Sequence, residues 1–67
     1  MKLDKKNNTA IYTQSETRIL NGKNDMKRDE LKRELRPLIQ NLAEESGKIV
    51  NVYFSDGIMD GRVYPNE

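Results

Sequence analysis

Cysteine is absent from this chain, and in only 67 residues that absence decides how a fold can be held together. A domain of about 60 residues buries only about 60% of the surface its unfolded chain exposes. Below roughly 70–80 residues one core seldom supplies more than about 3–5 kcal/mol, so small proteins add disulfides, a metal or further subunits. Disulfides are impossible here. Histidine is also missing, which excludes a soft-ligand metal site and removes the usual base near neutral pH. Oligomerisation is the remaining supplement, and a homo-oligomer is expected.

The central segment carries the clearest local pattern. Leu31, Leu35, Leu38, Ile39 and Leu42 recur at the spacing of an amphipathic helix. Asn24 or Asp25 can cap its start and Gly47 its end, which predicts a helix over about 25–46. Pro37 lies opposite the leucine stripe and predicts a kink, or else two short helices. Leu35 and Leu38 are both expected in the core.

The flanking segments read as β structure. Val50, Val52 and Phe54 fall on one face of a strand, with Ile49, Asn51 and Tyr53 on the other. Ser55-Asp-Gly57 is a turn signal, and Met59–Tyr64 returns antiparallel, completing a β-hairpin over about 49–64. Gly61 within that return points to a bulge or a close backbone approach. Thr9–Thr13 and Thr17–Leu20 are β-leaning, as one bent strand or a short hairpin. Met1–Asn8 is polar and reads as a flexible tail ahead of a single domain over 9–67. The expected fold is α+β, a kinked amphipathic helix packed on a short antiparallel sheet in β-α-β-β or ββ-α-ββ order.

Charge is distributed unevenly. Residues 1–36 hold ten Lys/Arg against six Asp/Glu, while residues 37–67 hold two against five, for a formal net charge of +1. Arg28, Lys32 and Arg36 form a basic row on one flank of the helix, with Lys27 and Arg33 nearby. Glu30 and Glu34 lie on the other flank. Like charges at this spacing cost a helix a few tenths of a kcal/mol each, so local stability does not call for them. They mark a candidate surface for phosphates or an acidic partner; the bland counterpart is a solvated face moderated by pairs such as Asp29–Arg33. Tyr53 and Tyr64 are the matching aromatic candidates, as interface anchors or simply as cover for a small core.

No catalytic constellation emerges. Asp56 and Asp60 flank a turn and lack the bidentate Glu of a calcium loop, so they read as turn residues. Ser15, Ser46 and Ser55 have no base beside them, and no Gly-rich phosphate loop occurs. No apolar run reaches the ~20 residues of a membrane span, and the start of the chain lacks a leader's apolar stretch. The expected function is a non-enzymatic, cytoplasmic protein without cofactor or metal. It regulates or inhibits a macromolecule by surface binding through Arg28, Lys32, Arg36, Tyr53 and Tyr64. Chains of this size and composition are familiar from phages and mobile elements. The alternative is a nucleic-acid binder using the same basic flank.

One stretch of about twenty residues resembles a known family. The helix, then Val52-Tyr-Phe-Ser-Asp-Gly57 and Gly61-Arg-Val63, resembles the first helix and opening strands of Sm-like RNA-binding proteins. Strand–Asp-Gly–strand units also occur in many unrelated small barrels. No RNA-binding residue is carried over from the likeness.

Overall fold

Thr13 opens a helix where the sequence suggested a strand. In the computed structural model, which describes residues 1–66, its hydroxyl accepts from the Glu16 N–H at 3.2 Å. The Glu16 carboxylate in turn accepts from the Thr13 N–H at 2.8 Å. This capping box starts helix α1, Gln14–Leu20, by satisfying two backbone donors that the first turn leaves unpaired. Thr17–Leu20 is therefore helical, and its β-branched residues are overruled by the cap. The Asn21-Gly22 turn joins this helix to the next. A methyl group on Gly22 would sit 3.2 Å from the Arg18 and Ile19 carbonyl oxygens.

Helix α2, Asp25–Ser46, runs for 22 residues without interruption through Pro37, which faces solvent. Asn24 caps its start, the side-chain oxygen accepting from the Lys27 N–H at 3.2 Å. Gly47 ends it at φ 67°, a left-handed conformation that costs glycine no Cβ clash. Leu35, Ile39, Leu42 and Ala43 are buried, while Leu38 is 48% exposed. At about 100° per residue, Leu38 falls at the margin of the stripe.

The four strands form one mixed sheet in the order β1 (Lys2–Asp4), β2 (Thr9–Ile11), β3 (Val50–Tyr53) and β4 (Met59–Val63). The outer pairs are antiparallel, but β2 and β3 run parallel, so the sheet is not wholly antiparallel as expected. The reason is the second helix. Its far end lies beside the start of β2, where Asn8 bonds Ser46 at 2.7 Å, so β3 sets out from the same end of the sheet as β2 and runs with it. The β3–β4 hairpin is thus the edge of an open sheet.

Met1–Asn8, expected as a polar tail, instead supplies a strand and a turn. Leu3 pairs with Ala10, and the Asp4 carboxylate accepts from the Lys6 and Asn7 N–H groups at 3.1 and 3.2 Å. Asn8 adopts φ 49°, which asparagine tolerates, and its amide donates to Ser46 Oγ at 2.7 Å. That bond ties the turn to the end of α2.

Ala10, Val50, Val52 and Val63 on one sheet face join Tyr12, Leu20 and the α2 stripe in a single core. Phe54 packs against it half-buried, its ring centroid 5.6 Å from that of Tyr12. No helix among the described residues is long and apolar enough to cross a membrane.

Candidate functional site

A bulge in β4 organises the site. Val52 pairs with Gly61 and Tyr53 with Met59, which leaves Asp60 as an extra residue. Bulges redirect the side chain they displace. Here Asp60 Oδ2 accepts a 3.2 Å hydrogen bond from the hydroxyl of Tyr12, the residue following β2. Asp60 is therefore a bulge residue, while Asp56 alone serves the turn, accepting from the Ile58 N–H at 3.0 Å. Burial and the adjacent Asp60 carboxylate push the Tyr12 phenol up to about 12.

Around this pair lies a cleft of about 400 Å³ between α2 and β4. Its floor is apolar, made by Leu35, Ile39 and Val52. The helix brings Lys32, Arg33 and Arg36 to its rim; Arg62 borders it in β4, where register with Asn51 puts its side chain on the other sheet face. The three helix cations face one carboxylate, Asp60, within the lining. The salt bridges among the described residues join Met1 to Glu16 and Arg28 to Asp25, so none of the three has a carboxylate partner among them. Arg33 does not pair with the Asp29 side chain; its Nε donates to the Asp29 backbone carbonyl at 3.3 Å.

The five residues singled out from sequence do not form one surface. Lys32 and Arg36 share the cleft. Arg28 lies outside it, half-buried and paired with Asp25. Tyr53, out of phase with the buried Val50 and Val52, sits on the opposite sheet face in register with Ile11 and Met59. Tyr64 follows β4, 60% exposed, and its carbonyl accepts from Gln40 Nε2 at 2.9 Å. Sequence reasoning missed Tyr12 as a site residue, named Arg33 only as a neighbour of the basic row, and read Asp60 as a turn. Gly61 was the available signal, because it marked the bulge that turns Asp60 toward Tyr12.

No family model, curated protein or solved structure matches this chain.

The cleft is within the ~300–1,000 Å³ range of ordinary ligand pockets, with an apolar base and a charged rim. Its excess positive charge suits an anionic partner that also presents an apolar side chain.

Proposed function

We propose that this protein is a small, non-enzymatic interaction module that regulates or inhibits a macromolecular partner and works as a homo-oligomer. Its binding element is the α2–β4 cleft, and the segment it takes is acidic with an apolar anchor. The supporting observation is the set of three helix cations, Lys32, Arg33 and Arg36, without carboxylate partners among the described residues, around an apolar floor. Cations that served only to stabilise the fold would be expected to meet nearby carboxylates, whereas these leave their charge available. Absence of cysteine suits a reducing compartment, and we assign the protein to the cytoplasm.

The same cations support a second reading, in which the cleft follows a nucleic-acid backbone. The apolar floor and Asp60 favour the protein partner, since phosphates gain nothing from either.

Fluorescence anisotropy separates these readings. Labelled peptides carrying Asp/Glu around a Leu or Phe are compared with single- and double-stranded oligonucleotides at rising salt. The peptides are expected to bind, and Lys32→Glu with Arg36→Glu to weaken them at least about tenfold. Tighter binding of oligonucleotides, with a steep salt slope, gives the function to nucleic acid instead. Failure of both probes to bind removes the cleft from consideration.

A further inference from the structure

The sheet has two faces, and only one joins the core. Ile11 and Tyr53 are half-buried, yet neither packs against the core cluster. Register puts them in one cross-strand row, Lys2–Ile11–Tyr53–Met59, with Met59 40% exposed. The adjacent row on the same face is Asp4–Thr9–Asn51–Arg62.

We propose that this face is the subunit interface of a two-fold dimer, in which a second copy of the chain packs sheet to sheet. The inference rests on the homo-oligomer reading above and assigns it a surface. Its support is the order of the side chains along each row. In an isologous interface the same patch must complement itself. Take a two-fold axis midway between the sheets and parallel to their strands. The rotation lays β1 of one copy over β4 of the other, and β2 over β3.

Asp4 then faces Arg62 of the partner subunit at both ends of its row. In the other row Ile11 meets the partner's Tyr53, and the alkyl stem of Lys2 covers the partner's Met59. Acid opposes base at the ends of one row, with the polar Thr9 over the partner's Asn51 between them, and apolar opposes apolar at the centre of the other. Facing sheets whose strands lie nearly parallel are also a favoured packing, with the sheets about 10 Å apart. Hydrogen bonds from Asn7 and Lys6 hold the Asp4 carboxyl below its usual range, so it stays charged at neutral pH.

The arrangement makes opposite charges at one position act oppositely. Met59→Lys sets a cation against the partner's Lys2, while Met59→Glu sets a carboxylate there. Both substitutions remove the same methionine contact. Solution mass by light scattering over a concentration series, with circular dichroism to verify folding, reads the difference.

The wild type is expected to dimerise, and Tyr53→Asp and Met59→Lys to raise the dissociation constant at least about tenfold. Met59→Glu is expected to dimerise more tightly than Met59→Lys, with the gap closing at high salt. Lys32→Glu and Arg36→Glu, in the cleft, leave the mass unchanged.

A wild-type monomer at every concentration overturns the homo-oligomer reading and the face with it. A dimer indifferent to both Tyr53→Asp and Met59→Lys overturns the face alone. Equal weakening by Met59→Lys and Met59→Glu overturns the two-fold arrangement.

Discussion

The Tyr12 hydroxyl and the Asp60 carboxylate meet at 3.2 Å across 48 residues of sequence. The contact joins the end of β2 to the bulge of β4 by way of β3, which lies between them in the sheet. It exists because the bulge turns Asp60 out of the strand's alternation. It also leaves the cleft with one occupied carboxylate beside several unpaired cations, which is the basis for expecting an acidic partner.

Tyr12 gives the fold an alkaline limit. Burial, then the charge of Asp60, raises the phenol from 10.0 to about 12. A group whose folded pKa is raised contributes stability that is complete below the unfolded value. That contribution is therefore lost as pH rises from about 10 to about 12. Tyr12→Phe should cost about 0.5–1.5 kcal/mol at neutral pH and remove this part of the pH dependence. Urea unfolding of both proteins across that range is the check. Parallel curves for the two proteins would place the loss in other groups.

The capping box gives an acid limit. Burial pushes the Glu16 carboxyl up, but hydrogen bonds from Thr13 and the Met1 amine outweigh it and leave it lowered from 4.5. Its contribution is present above the unfolded value and is lost as pH falls through the lower folded one. Thr13→Ala should cost about 1 kcal/mol. Glu16→Gln should flatten the acid side of the stability profile, measured by thermal melts from neutral pH downward.

Neighbouring residues in α2 should differ sharply. Ile39 is 2% exposed, and Ile39→Ala should cost about 2–5 kcal/mol. Leu35→Ala belongs with it. Leu38→Ala, which the leucine pattern placed in the same class, should cost less than about 1 kcal/mol because the side chain is half in solvent. Denaturant midpoints of the three variants test the assignment; a large loss at Leu38 would mean that its exposed surface is covered in solution.

Gly47→Ala isolates backbone strain. A methyl group there meets nothing within 4 Å, yet φ is +67°. The expected loss is about 1 kcal/mol with no change in contacts. Gly61→Ala has open space and no positive φ, so it should be tolerated better. Chemical unfolding of the pair compares them directly.

The bounds of helix α2 were legible, from Asn24 or Asp25 at its cap to Gly47 at its end, because each signal acts within a few residues. The Val50/Val52 face was readable for the same reason, through the two-residue period of a strand. The β4 bulge was also readable, from a glycine where a side chain should pack. Helix α1 was available and misread. Thr13-x-x-Glu16 is a capping box, but the β-leaning Thr17–Leu20 run outweighed it when propensity was read alone.

Composition and local spacing thus determined the α+β class, the long helix and the closing hairpin, because those depend on hydrogen bonds and periodicities spanning a few residues. Tertiary structure alone decided the parallel β2–β3 pairing, the recruitment of Met1–Asn8 as an edge strand and the turn of Leu38 toward solvent. It also decided that Lys32 and Arg36 meet Tyr12 and Asp60 in a cleft while Tyr53 lies on the other side of the sheet. Each of those outcomes is set by chain segments far apart in sequence competing for the same faces of one small sheet, a competition that no local pattern records.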